Sequence, residues 1–394
     1  MAPDDAAGPG DRRDATRRLI LLLGLSCFAG ALASRVTDPF VVAMSEEFRA
    51  APESVALLAT AFAVPFALVQ PVLGPVGDAL GKRVVIRAAL CLLAVFTLLA
   101  PFAPDLFSLA VLRGLSGAAA GGVMPLSLAT VGDAVPVRER QVALSRLIVF
   151  AIAGQVGGGA LAGVLAPFLG WRGVLGLCGA VALAAVALML VVPPPVPPEP
   201  RRRFEPVGAL RRYRALFKLP AARVLYASVL AEGAFVFGAF PYFAPVLEAR
   251  GQGGVLEAGL AVAAFGCGGF LFAALARTLL ARIGQSRMVV LGGALAAAAL
   301  AGLGAAPSAA VFVGAGLVLG LGFYMVHNTI QTRVTEVAPE ARGSAVALHA
   351  FHFYVGQSLG PVAVGLASGL LGPGAAFALA GAGMLALGLR LGRR

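Results

Sequence analysis

Apolar and polar positions fall into long blocks along this chain, not into the short alternations of a soluble domain. From Leu19 to Val42 the only charges are Arg35 and Asp38, and from Val174 to Val192 there are none. A helix rises about 1.5 Å per residue, so roughly 20 apolar residues cross the 30 Å or so of a bilayer's hydrocarbon. Reading the blocks against their breakers predicts helices over 19–42, 54–76, 84–103, 106–132, 144–168 and 173–192. A second series follows over 223–247, 256–281, 287–306, 309–331, 344–368 and 371–389. The expected fold class is an all-α membrane protein of twelve transmembrane helices in two six-helix, pseudo-symmetric halves. Its expected units are a cytoplasmic tail over 1–18, a six-helix bundle over 19–192, a proline-rich and basic linker over 193–222 and a second bundle over 223–394.

Composition supports this reading: 59% of residues are hydrophobic and 13% charged, so water is not the main solvent. The net charge of +12 raises the question of nucleic acid, which would require the basic residues to gather on one soluble face. They recur instead in short clusters between apolar blocks, and no nucleic-acid partner is expected. Of the 31 lysines and arginines, 26 fall in alternate segments and only Arg49, Arg172 and Arg250 in the loops between them. Positive charge concentrates on the cytoplasmic side of a membrane, which places both termini there and the chain in a bacterial inner membrane. The arginines at 12, 13, 17 and 18 with Ala31-Leu32-Ala33 imitate a cleavable signal, but the apolar run continues past that site. Cys27, Cys91, Cys178 and Cys267 all lie in apolar blocks, with no disulfide framework or metal-ligand spacing.

Internal repetition is legible at an offset of 202 residues. Arg140, Ala143, Gly154, Gln155, Gly158, Gly163, Leu169 and Gly170 fall on Arg342, Ala345, Gly356, Gln357, Gly360, Gly365, Leu371 and Gly372. A duplicated bundle places a binding site at the interface of the halves, near the middle of the membrane.

Between the second and third predicted helices stands Gly74-Pro75-Val76-Gly77-Asp78-Ala79-Leu80-Gly81-Lys82-Arg83. It resembles the signature of the major facilitator superfamily at the same place, with Ala79 where the family has a basic residue. Physically, Gly74 permits close helix approach, Gly81 a tight turn, and Asp78 at a helix end can accept bonds from cationic side chains as a latch. Gly74, Asp78, Gly81, Lys82, Arg83 and Arg140 are the expected conformational switch. A phosphate loop is excluded, because Gly77 and Gly81 enclose three residues and Arg83 follows Lys82. Leu112-Arg113-Gly114-Leu115-Ser116-Gly117 resembles the family's fourth-helix motif, which implies a buried Arg113 that contributes to proton coupling; the alternative is an arginine snorkelling to the surface. Gly154, Gly158, Gly159 and Gly163 with Gly170-Trp171-Arg172 resemble the glycine-rich antiporter helix, although plain helix packing explains the glycines equally. Arg35-Val36-Thr37-Asp38-Pro39 resembles first-helix sequences of the twelve-helix drug/proton antiporter-like branch.

Arg35 and Asp38 are three apart on one predicted helix face, which suits either a proton carrier or a structural gate pair. Glu232 is the acidic residue well inside the second series, so Asp38, Arg35, Arg113 and Glu232 are the proton-coupling candidates. Tyr324, His327, Asn328 and Gln331 share a stripe of one helix, and His349, His352 and Gln357 follow on the next. With Gln70, Gln155 and Tyr242 they form the candidate substrate cavity. No spacing completes a metal site.

The resemblance implies a secondary transporter that works by alternating access, with proton-coupled efflux of a small lipophilic or amphipathic solute as the leading expectation. Import of a sugar, organic acid or other metabolite is the alternative within the class, and a non-transporting receptor or assembly factor the alternative outside it. No cofactor is expected beyond the proton gradient. The partners are substrate, protons and lipid, and a monomer suffices. Enzyme chemistry is not expected, since neither His-Glu-x-x-His nor Gly-x-Ser-x-Gly occurs.

Overall fold

The computed structural model describes residues 9–192, 206–338 and 341–393. The proline-rich spacer expected over 193–200 and the arginines at 201–203 lie outside the described residues, as does the start of the tail. Among the described residues every regular element is helical.

Proline sets where several of the expected helices break. Helix α1 (Pro9–Arg35) stops because Pro39 has no amide to offer the Arg35 carbonyl, and a 3-10 turn over Asp38–Phe40 leads into α2 (Val41–Phe48). The same event recurs after α9 (Pro220–Phe237), where a 3-10 turn over Phe240–Tyr242 precedes α10 (Phe243–Ala249). Pro241 follows Pro39 by the same 202-residue interval found in the sequence. The unbroken helices expected over 19–42 and 223–247 are therefore corrected. So is the one expected over 106–132, which divides at Gly121 and Gly122 into α5 (Leu106–Ala120) and α6 (Val123–Ala134). Pro125 withholds the amide that would serve the Gly121 carbonyl, and Gln70 supplies it instead, its Nε2 donating at 2.9 Å.

Gln70 lies on α3 (Pro52–Leu80), which turns at Gly81, φ 93°, into α4 (Lys82–Leu99). Helix α7 (Val137–Val191) has 55 residues and α11 (Val255–Ala305) has 51. Unbroken, each would be about 80 Å long, more than twice the hydrocarbon thickness. Each is in fact two helices meeting at a glycine with positive φ, Gly170 at 58° and Gly284 at 72°, a conformation costly to any residue with a Cβ. The chain closes with α12 (Ala309–Glu336), α13 (Arg342–Leu371) and α14 (Pro373–Gly392). One element is additional to the expectation: α8 (Pro206–Lys218) is a helix inside the segment read as a linker.

Ten helical stretches among the described residues are long and apolar enough to cross a membrane, those of α7 and α11 being the two double-length ones. Their buried apolar side chains group by chain segment. One cluster runs from Leu216 to Leu391 with Ala56 added, and two others are built from residues between Leu19 and Met189. The outer faces carry Leu68, Phe107, Phe168 and Leu370, all more than half exposed, which suits lipid and not water.

The N-terminal and C-terminal sets of helices touch toward the end that holds Arg49, Arg172 and Arg250. There α7 and α11 meet backbone to backbone at Gly163 and Gly259: a Cβ on Gly163 would lie 2.9 Å from the Leu256 carbonyl, and one on Gly259 would lie 2.7 Å from the Gly163 Cα. Nearby, Thr60 Oγ1 of α3 donates to the Ser358 carbonyl of α13 at 2.7 Å, and the rings of Phe66 and Tyr354 meet at 3.9 Å. At the opposite, basic end, Gly74, Gly132 and Gly343 have no atom within 4 Å of where a side chain would begin. The close approach expected of Gly74 is thus corrected. Gly77 makes it instead, against Leu126.

Candidate functional site

The break after α1 gathers the first group of candidates. Arg35 and Asp38 are both buried and paired, Nη1 to Oδ2 at 3.4 Å, but across the helix break and not along a helix face as their spacing suggested. Arg35 Nη2 donates to Oε1 of Gln357 on α13, and the guanidinium lies 4.5 Å from the centroid of Phe237 on α9. Phe237 is the residue 202 positions after Arg35. One guanidinium therefore binds both helix sets at once, through a charge-assisted hydrogen bond and an aromatic face. Asp38 Oδ1 and Thr37 Oγ1 are buried beside it with no protein hydrogen-bond partner among the described residues.

Arg113 is 1% exposed, which removes the snorkelling alternative. Its Nη1 donates to the Ala33 carbonyl at 2.7 Å and its Nη2 to the Ser34 carbonyl at 3.0 Å, while the guanidinium stacks 4.5 Å from Phe62. Those two carbonyls belong to the last turn of α1, whose partners are lost at the break. Arg113 caps the broken helix and stands within electrostatic reach of Asp38.

A second buried centre lies within the C-terminal set. Glu232 of α9 has no exposed surface, and its Oε2 is 3.1 Å from Nδ1 of His327 on α12. The His327 ring packs on Phe323 and Phe353 and stands 5.3 Å from the ring of His349 on α13. Glu232 Oε1 and His349 Nε2 are both buried without a protein partner among the described residues. Burying a carboxylate beside imidazoles with an acceptor left over makes a place where a proton can be held or passed. His352, the third histidine, stands apart from that pair: its ring stacks on Tyr226 at 5.0 Å and its Nδ1 bonds the Leu348 carbonyl.

The signature segment forms a cationic knot. Lys82 Nζ is 3.4 Å from Asp78 and 2.6 Å from Asp133 at the end of α6. Asp133 escaped the sequence reading, being a single acid 51 residues from Lys82 at the end of another helix. Arg83 takes part in further contacts, and Arg140 Nε donates to the Val135 carbonyl at 3.3 Å, so Arg140 tightens its own turn.

The remaining cavity candidates divide. Gln70 is engaged with the α5–α6 break, and Tyr242 donates to the Pro361 carbonyl at 2.9 Å. Tyr324 packs on Phe265 and Phe323. Gln155 and Gln331 are half-buried and Asn328 is exposed. No cluster of three or more metal-ligating side chains occurs among the described residues.

The model of the Major Facilitator Superfamily matches residues 23–361 and again 252–393. An uncharacterised MFS-type transporter of Bacillus subtilis, YwfA, is 23% identical over 367 residues, which cover 90% of this chain and 85% of that one. The vacuolar basic amino acid transporter 1 of Saccharomyces cerevisiae is 28% identical over 186 residues, 45% of this chain and 33% of that protein. The crystal structure of the human organic anion transporter MFSD10 superposes with a TM-score of 0.73 at 18% identity, over 95% of this chain and 99% of that one.

Proposed function

We propose that this chain, which belongs to the Major Facilitator Superfamily, is a proton-coupled secondary transporter that exports a small lipophilic or amphipathic solute. It is an integral membrane protein that moves small solutes and is not an enzyme. In our reading α7 and α11 each count as two spans, which gives twelve transmembrane helices in two six-helix halves, and the 202-residue interval between Pro39 and Pro241 supports the pseudo-symmetry. The basic end is cytoplasmic, in a bacterial inner membrane. The contacts near Arg35 and Gly259 then belong to a conformation closed on the outside.

One observation carries the coupling: Glu232, fully buried, with one oxygen on His327 and the other unpartnered. A carboxyl group in that position changes the relative stability of two conformations when it gains or loses a proton, as alternating access requires. Asp38 is the second carrier candidate, and its release of Arg35 on protonation would loosen the grip on Gln357. A thermal-shift screen of the purified protein identifies a ligand, since selective binding stabilises the folded state. Saturable uptake of that ligand into everted vesicles, abolished by an uncoupler, is the expected result. Uncoupler-insensitive uptake, or accumulation only in right-side-out vesicles, would refute proton-driven export.

A further inference from the structure

Helix α8 joins two places that the transport reading leaves unconnected. Its Tyr213 hydroxyl donates to the Pro71 carbonyl of α3 at 2.9 Å, from 142 residues away. That carbonyl is the one in α3 that Pro75 cannot serve, because a proline four residues on has no amide. Pro71 is half-buried, and a carbonyl withdrawn even partly from water is costly to leave without a donor, so a phenol here answers a specific vacancy in the helix ladder. The other side of α8 belongs to the C-terminal set. Leu216 is 2% exposed in that set's core, and the Phe217 ring stands 5.8 Å from Tyr226 and 5.6 Å from His352. Only Leu219 separates α8 from the start of α9, so the helix cannot drift far from that set. The acceptor lies three residues before Gly74, on the helix whose last turns carry Asp78 and which leads through Gly81 to Lys82. Burial pushes the Tyr213 phenol up from its ordinary value, so it keeps its proton and stays a donor through the neutral range.

We propose that α8 is a strut that stabilises the conformation described here, fastened to the C-terminal helices by Leu216 and Phe217 and to the N-terminal helices by the Tyr213 bond to the proline-freed carbonyl of Pro71. The inference rests on the alternating-access reading. The helix crosses between the sets at the basic end, whereas their direct contacts lie toward the other. A rearrangement that changes the position of Pro71 relative to the inner ends of α9 and α13, as closing the basic end would, must break this bond, and the strut thereby sets part of the balance between the two conformations.

Nitroxide labels at Leu80→Cys and Gly343→Cys, exposed positions at the basic ends of α3 and α13, report that balance in the cysteine-free protein without any substrate. Tyr213→Phe removes one hydroxyl and should lower the population at this structure's distance about two- to tenfold relative to the other, the range for one hydrogen bond. Pro75→Ala returns the backbone amide to Pro71, so in that background Tyr213→Phe should have less than half its effect. Pro75→Ser serves the same purpose should the alanine variant not fold. An unchanged distribution for Tyr213→Phe overturns the proposal, and so does an equal shift in both backgrounds. A parent protein that shows one distance under every condition overturns the strut and the alternating-access reading together.

Discussion

Gly259→Val should move the protein out of the conformation described here without unfolding it. At Gly259 a Cβ would lie 2.7 Å from the Gly163 Cα, against about 3.4 to 4 Å for an ordinary contact, so α7 and α11 must part by about 1 Å where they cross. Backbone meets backbone there, and no flexible side chain can give way. Overpacking of this kind costs about 1–3 kcal/mol, which is a factor of roughly 5 to 150 in an equilibrium. Valine also changes the intrinsic helix preference at the site, but that term is common to both conformations and cancels in their ratio. The cost therefore falls only on the conformation in which this end is closed. A cysteine at the half-buried Gln155 of α7, in a cysteine-free background, can be titrated with a membrane-impermeant thiol reagent from either side. Labelling from the Arg172 side should rise by about one order of magnitude or more, and labelling from the basic side should fall. Gly314→Val, at a position with nothing within 4 Å, is the control and should change neither. A folded Gly259→Val protein with the parent's labelling pattern would refute the idea that this crossing comes apart.

Glu232→Gln and Asp38→Asn, made separately, should leave counterflow of the identified ligand intact while one of them abolishes accumulation driven by a pH gradient; if both keep the parent's pH dependence, the carboxylate mechanism is wrong and His327, His349 and His352 become the candidates. Arg113→Ala should lower unfolding stability in detergent by about 2 kcal/mol, because it leaves the buried carbonyl of Ala33 and the half-buried one of Ser34 without the guanidinium that caps them; loss of transport with full stability would show that capping is not its main role. Asp133→Asn and Asp78→Asn should each lower turnover with ligand affinity kept, since both acids hold Lys82 far from the buried centres; equal losses of affinity and turnover would count against a latch.

What could be read in the sequence followed the range of each interaction. Helices announce themselves locally, and so did the pairing of Arg35 with Asp38, three residues apart. The clamp on Gln357 joins residues 322 apart, and the Glu232–His327 pair joins residues 95 apart on helices whose own periodicity says nothing about each other. Asp133 carries no local signal either, because one acid at a helix end is ordinary. Helix α8 was hidden by its composition: with four cations in thirteen residues it looks like a solvated linker, and its apolar positions find their partners only once α9 and α13 are in place. The prolines were visible, but the donors that answer them, Gln70 and Tyr213, lie on other helices.

The burial of Arg35 also constrains how the chain enters a membrane during synthesis. A lone arginine or aspartate at mid-bilayer costs about 3 kcal/mol at insertion, and α1 with the turn that follows it brings both. Gln357 is translated 322 residues after Arg35, which at 5–20 residues per second is a delay of roughly 16 to 64 s. Throughout that interval Asp38 is the counter-charge already to hand, carried on the same segment and delivered in the same step. Translated alone, an Asp38→Asn chain would present the translocon with an unpaired guanidinium, so the nascent segment should integrate more slowly and in lower yield, while the protein that does integrate keeps its counterflow.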